Sequence, residues 1–158
     1  KFDDAGQPLS TASGNMPDIE CDYSNFVLSV EVTMQQGQRQ YESEGEPVAR
    51  HLGQMKKRTG KETYCLFIAP TVNKASLAHF FALNKIGISY YGGKTKIVPL
   101  ELDQFMRLVE NSYNYHTHPT PKDIRQFLDD VIRQEELAVD ENDWKDKIQI
   151  CVSKWLTS

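Results

Sequence analysis

Two carboxylates, Asp18 and Glu31, are the residues of this sequence best placed to do chemistry. They lie thirteen positions apart, a spacing that suits a β-hairpin whose two strands each bring one carboxylate to the same place. The segment from Phe26 to Val32 is apolar and β-branched enough for a buried strand, so an ionised Glu31 within it would be costly without a partner. A second carboxylate worsens the electrostatics unless a cation joins the pair, and Mg²⁺ prefers oxygen ligands. The pair therefore predicts half of a metal site.

Two further polar residues, Glu44 and His51, follow the carboxylate pair at regular distances. Glu44 comes thirteen residues after Glu31, and His51 comes seven residues after Glu44. Seven residues are two turns of a helix, so the two side chains would share one face and could point back at the carboxylate-bearing strands. A histidine can orient or deprotonate a water, or donate to a phosphate oxygen. We therefore treat Asp18, Glu31, Glu44 and His51 as one candidate constellation.

The elements that must position these residues follow from apolar periodicity and turn residues. A hairpin is predicted from residues 16–23 and 26–33, followed by a helix in which Pro47 occupies the first turn and Val48, Leu52 and Met55 form the apolar face. Further along the chain we predict, in order, a buried strand at 63–69, a helix at 73–84, a strand at 96–100, a helix at 102–109, a loop at 111–121 and helices at 122–136 and 141–156.

This order of elements predicts an α/β fold with a central mixed β-sheet flanked by helices. With 158 residues, of which 39% are hydrophobic, the chain is expected to form a single domain. Residues 1–110 would form the sheet-containing core, and residues 121–158 would form a C-terminal helical tail. The sequence lacks both a transmembrane-length apolar run and a signal-like start, and its three cysteines are odd in number. These features favour a cytoplasmic protein with reduced thiols.

The net charge of −4 argues mildly against a domain that binds nucleic acid through its overall electrostatic field. A bound metal could supply positive charge locally instead. The basic residues between Arg50 and Lys61, and those at Lys94 and Lys96, are interpreted as a solvated helix end and a loop rather than a phosphate track.

The local sequence around the candidate residues resembles a known family of nucleases. Pro17-Asp18 followed by Glu31-Val32-Thr33 is similar to the PD-(D/E)XK signature of metal-dependent nucleases. With Glu44 and His51 and the segments at residues 46–51 and 66–70, the sequence resembles the cleavage domain of AlwI-type type IIS restriction endonucleases and related site-specific nicking enzymes. The resemblance covers residues 3–108. It implies a restriction-endonuclease-like core and Mg²⁺-dependent hydrolysis of DNA phosphodiester bonds.

The resemblance also implies roles for individual residues. Asp18, Glu31 and the backbone carbonyl of Val32 would bind Mg²⁺, and Glu44 and His51 would complete the catalytic set. The third position of the general signature is normally lysine but is Thr33 here, which has no charge to hold water or phosphate. The resembling family also lacks that lysine, so Glu44 and His51 would take its place.

The expected partners are double-stranded DNA and a separate DNA-recognition domain or subunit, because this chain contains no segment resembling one. A second cleavage subunit would be needed to cut both strands. Two other functions remain open on the sequence alone. One is a PD-(D/E)XK repair or junction-resolving nuclease with the same site, and the other is a catalytically inactive, partner-binding domain of the same fold.

Overall fold

The computed structural model describes residues 16–114 and 118–156, which form a four-stranded sheet and five α-helices. The strands are β1 (Ile19–Asp22), β2 (Phe26–Val32), β3 (Glu62–Ala69) and β4 (Ile97–Glu101). The helices are α1 (Gln38–Thr59), α2 (Lys74–Lys85), α3 (Leu102–Asn114), α4 (Pro121–Leu137) and α5 (Glu141–Lys154), and a short 3₁₀ turn spans Ser89–Tyr91.

The sheet has the strand order β1-β2-β3-β4, in which β1 runs antiparallel to β2 while β2, β3 and β4 are parallel. The predicted α/β fold with a mixed sheet is therefore confirmed. Helices α1 and α2 are the crossovers between the parallel strands, so the carboxyl ends of β2, β3 and β4 meet at one edge of the sheet. Among the described residues, no helix has the length and apolarity needed to cross a bilayer.

The hydrophobic core joins the sheet to all of the helices. Strand β3 is buried from Thr63 to Ala69, as expected for a central parallel strand. The predicted C-terminal helices, α4 and α5, contribute Phe127, Leu128 and Trp144 to the same core. The Tyr64 hydroxyl donates to Asp129 Oδ1 at 2.5 Å and so ties β3 to α4.

Three element boundaries differ from the sequence-based expectation by three residues or more. Helix α1 begins at Gln38, so Pro47 lies inside the helix, and its placement in the first turn was wrong. Strand β1 begins at Ile19 rather than at residue 16, directly after the Pro17-Asp18 pair. Helix α3 continues to Asn114 into the predicted loop, of which residues 115–117 lie outside the described residues. The first two differences both involve prolines, whose missing N–H ends a ladder but is tolerated in a long, packed helix.

Gly53 in α1 is predicted to be intolerant of a side chain. A Cβ at this position would come within 2.9 Å of the backbone of Tyr91, which cannot rotate away as a side chain could. We expect Gly53→Ala to lower the free energy of unfolding by about 1–3 kcal/mol, measured by urea denaturation. Gly45→Ala in the same helix is the control. Its Cβ would meet side-chain atoms alone, the His79 ring at 3.4 Å and the Tyr41 ring at 3.6 Å, and it should be neutral or stabilising because alanine favours the helix.

Glu135 in α4 is a buried acid whose Oε1 has no hydrogen-bond partner among the described residues. Burial raises the pKa of this carboxyl above its usual range, partly opposed by the charge of Lys85. Folding therefore favours the protonated acid, and stability should fall as the pH rises above the unfolded-state pKa of about 4.3 towards the higher folded-state pKa. We expect Glu135→Gln to stabilise the protein by about 1 kcal/mol at pH 7. Urea denaturation should show no gain near pH 4, and an equal gain at both pH values would contradict this explanation.

Candidate active site

The register of the β1–β2 hairpin brings the two predicted carboxylates together. Ile19 pairs with Val30, so one further step of the antiparallel register sets Asp18 opposite Glu31. Directly opposed residues project their side chains to the same face of a sheet. Here that is the face covered by α1, because Glu31 contacts His51 of that helix. The hairpin geometry expected from the thirteen-residue spacing is thus present.

The backbone of Val32 is held beside Asp18. The Val32 N–H donates to Asp18 Oδ2 at 2.7 Å, while the next residue, Thr33, donates its N–H to Ile68 of β3. Backbone groups of successive residues point to opposite sides of a strand, so the Val32 carbonyl faces the β1 side. The residue opposite Val32 in the extended register is Pro17, which has no N–H to donate to that carbonyl. The proline therefore leaves a backbone oxygen available next to the carboxylate pair.

Glu31 and His51 form a buried pair. His51 Nδ1 lies 2.9 Å from Glu31 Oε1, and the two residues are only 9% and 7% exposed. Burial raises the pKa of the Glu31 carboxyl, the hydrogen bond and charge of His51 oppose this shift, and the charge of Asp18 adds to it. The other ring nitrogen, His51 Nε2, is buried and has no hydrogen-bond partner among the described residues. The site thus contains a polar atom that no described protein group satisfies.

Glu44 lies on the predicted helix face but makes no hydrogen bond or ion pair with Asp18, Glu31 or His51 among the described residues. It is half-buried, on the same side of α1 as Val48 and His51, two turns before the histidine. Its hydrogen bond within the described structure is with the Ser43 hydroxyl, at 3.5 Å. Accordingly, residues 16–114 and 118–156 contain no cluster of three or more His, Cys, Asp or Glu side chains close enough to hold a metal.

The donor atoms at the end of the hairpin nevertheless fit a magnesium ion. Asp18 and Glu31 would supply carboxylate oxygens, and the Val32 carbonyl, which faces β1, would supply a third oxygen. Mg²⁺ keeps several waters and needs only one or two protein carboxylates. An all-oxygen set also favours Mg²⁺ over the thiolate- and imidazole-binding metals.

Thr33 has a structural role at the position where the general signature has lysine. Its side chain is buried, and its Oγ1 accepts a hydrogen bond from the Gln35 N–H at 3.1 Å. The hydroxyl therefore shapes the turn that leaves β2. Neither this role nor the burial of Gln40 in α1 was predicted, because a single polar residue near a loop carries no periodic signal.

Two other carboxylates of β1 are held in ion pairs away from the site. Glu20 pairs with Arg58 at the end of α1, and Asp22 lies 2.6 Å from Lys61 Nζ. These contacts tie the edge strand to the last turn of α1 and to the residue before β3, and they use part of the basic cluster. They also explain why neither acid is turned towards Glu31.

These features define a restriction-endonuclease-like α/β fold, and comparison with known proteins identifies the family. The chain belongs to the AlwI restriction endonuclease family, whose model matches residues 1–108, so the predicted family is confirmed. The structure is similar to the small subunit (R.BspD6I2) of the heterodimeric restriction endonuclease R.BspD6I, with a TM-score of 0.75 and 26% sequence identity. That match covers 98% of this chain and 77% of the other. A search of curated proteins found no match.

Proposed function

We propose that this chain is the cleavage domain of a type IIS restriction or nicking enzyme and hydrolyses DNA phosphodiester bonds with Mg²⁺. The observation that carries the proposal is the convergence of Asp18, Glu31 and His51 at the end of the β1–β2 hairpin. Family membership supports the nuclease class, and the oxygen donors support the choice of metal.

Asp18, Glu31 and the Val32 carbonyl would hold the Mg²⁺ ion. When bound, the ion would polarise the scissile phosphate and lower the pKa of an attacking water. The Val32 N–H holds the Asp18 carboxylate in place through one oxygen, leaving the other oxygen for the metal. This arrangement prepares the ligand before any ion arrives.

His51 would act on the attacking water or on the phosphate. With Glu31 ionised, His51 Nδ1–H donates to Glu31 Oε1, so a neutral imidazole presents Nε2 as an acceptor. That atom is the one without a partner among the described residues. It would take a proton from water as a general base, or donate to a phosphate oxygen once protonated. Glu44, on the same face of α1, would complete the site through a bound water.

DNA recognition, and cleavage of the second DNA strand, would depend on another domain or subunit. The structural neighbour is the small subunit of a heterodimeric restriction endonuclease, which supports a partner subunit here. Each chain carries one candidate site, and the two DNA strands run antiparallel, so a double-strand break would require a second cleavage subunit.

The activity is tested by incubating the purified chain with supercoiled plasmid, alone and with a partner subunit that reads DNA. We expect nicking that depends on Mg²⁺ and stops when EDTA is added. A preference for four-way junctions over linear duplex would instead favour a repair or junction-resolving nuclease. Failure to cut under every combination would favour an inactive, partner-binding domain.

The chain alone is predicted to bind duplex DNA weakly and without sequence preference. Its net charge is −4, and several basic side chains are engaged in ion pairs with its own acids, which weakens its attraction for DNA phosphates. Gel-shift titrations at low and physiological salt measure this. Tight binding to one sequence would mean that a recognition element lies within these residues.

A further inference from the structure

Gln40, in the first turn of α1, is a fully buried polar side chain close to the candidate site. It is 0% exposed, and its amide makes three hydrogen bonds. Nε2 donates to the Gln35 and Thr71 carbonyls, each at 2.9 Å, and Oε1 accepts from the Asn73 N–H at 2.7 Å. Since an unsatisfied buried amide would be costly, this set of bonds holds its three partners strongly in one arrangement.

The three bonds join the segments that leave the carboxyl ends of β2 and β3. Gln35 lies in the turn after β2, which is shaped by its own bond to Thr33. Thr71 lies in the turn after β3, and Asn73 caps α2 by accepting from the Ala75 N–H. Thr33 directly follows Val32, so Gln40 fixes the exit of the strand that carries two of the proposed metal ligands.

The start of α1 depends on such an anchor. Its N-cap residue, Gly37, has a φ of 60° and provides no side-chain cap, and the first turn contains no acid. Pro47 also removes the helix hydrogen bond to the Ser43 carbonyl and weakens the link between residues 38–46 and the rest of α1. Besides Gln40, Tyr41 holds this part of the helix through an edge-to-face contact with His79, with 5.6 Å between the ring centroids.

We infer that Gln40 is a positioning residue for the candidate site. It ties the residues that follow β2 to the first turn of α1. Glu44 lies one turn further along the same face of α1, so Gln40 fixes the position of Glu44 relative to Glu31 and Val32. The inference rests on the proposed function in that it takes Glu44 to act together with the metal ligands. Gln40 itself would not touch the ion or the DNA.

The test compares two buried amides that each make three hydrogen bonds. Asn84 is also buried, donates to the Ile97 carbonyl, and accepts from Ile97 N–H and Thr95 Oγ1, but it joins α2 to β4. Gln40→Met and Asn84→Leu each replace the amide with an apolar group of similar size. Titration calorimetry uses Mn²⁺ as a stand-in for Mg²⁺. We expect Gln40→Met to weaken Mn²⁺ binding at least tenfold. Asn84→Leu should leave it unchanged at a similar loss of thermal stability.

A double-mutant cycle shows whether Gln40 acts through Glu44. In a Glu44→Gln background, Gln40→Met should cause little further loss of Mn²⁺ affinity. Fully additive losses of Mn²⁺ affinity in the double mutant would overturn the inference. It would also be overturned if the Gln40→Met and Asn84→Leu variants lost Mn²⁺ affinity equally, or if Gln40→Met lost none. If Gln40→Met does not fold, Gln40→Glu, which keeps the acceptor for Asn73, is compared with Asn84→Asp in the same way.

Amide hydrogen exchange separates this inference from the proposed function. Gln40→Met should accelerate exchange in residues 38–46 while leaving residues 48–59, beyond Pro47, close to the wild-type rates. An acceleration spread evenly over α1, or none, would overturn the positioning role. A wild-type chain that binds no Mn²⁺ would overturn the proposed metal site, and the exchange pattern would still decide whether Gln40 positions the start of α1.

Discussion

Replacing Glu31 with glutamine is expected to lower Mg²⁺-dependent DNA cleavage by about 10³-fold, equivalent to about 4 kcal/mol of transition-state stabilisation. Glutamine keeps the shape of the side chain and an oxygen that accepts from His51 Nδ1, so the loss would come from the missing negative charge on a metal ligand. Cleavage is measured on plasmid DNA with the partner subunit present, at saturating Mg²⁺ and over a range of Mg²⁺ concentrations.

The matched control is Glu20→Gln in the neighbouring strand. Glu20 also faces α1 but pairs with Arg58, so its replacement should leave cleavage close to the wild-type rate. Glu31→Gln should also leave metal-free stability nearly unchanged, because burial already disfavours the ionised form of Glu31. Near-wild-type cleavage by Glu31→Gln would refute the ligand role, and a large loss of metal-free stability would indicate a structural one.

Replacing His51 with asparagine is expected to reduce turnover by about 10²–10³-fold while leaving Mg²⁺ and DNA binding intact. The asparagine amide can donate to Glu31 from nearly the position of His51 Nδ1, but it has no counterpart to Nε2. The variant therefore isolates the ring nitrogen that lacks a partner among the described residues. Single-turnover kinetics with calorimetric metal titration separate turnover from binding.

His51→Ala is the comparison variant, because it removes both ring nitrogens. Equal losses of turnover in the two variants, with Mg²⁺ affinity reduced only in His51→Ala, would assign the chemical role to Nε2 and the orienting role to Nδ1. Wild-type turnover in His51→Asn would instead restrict His51 to holding Glu31 in place, leaving water activation to the metal.

Local spacing was sufficient to predict the hairpin and its carboxylates. In a two-stranded antiparallel pair, register follows from the turn and from alternation over a few residues, so the positions of Asp18 and Glu31 could be read from the sequence. The same holds for β3, whose apolar run from Thr63 to Ala69 is buried as expected. The shared face of Glu44 and His51 followed equally from helix periodicity.

Helix boundaries were less predictable where tertiary packing compensates for an unfavourable residue. Pro47 suggested a helix start, yet α1 begins at Gln38 and continues through the proline. Buried contacts on both sides of Pro47, from Gln40 to Met55, hold the helix together despite the lost hydrogen bond. Such contacts involve residues distant in sequence and leave no local signal at the helix start.

The sequence by itself determined the family, the sheet class and the residue types of the candidate site. Only the tertiary structure decided which of those residues touch. The packing of α1 brings His51 against Glu31 but leaves Glu44 without a hydrogen bond to either residue. It also joins Gln40 to Thr71 and Asn73, which lie 31 and 33 positions away. Periodicity specifies the face of an element, whereas the distance between side chains on different elements depends on how the whole core packs.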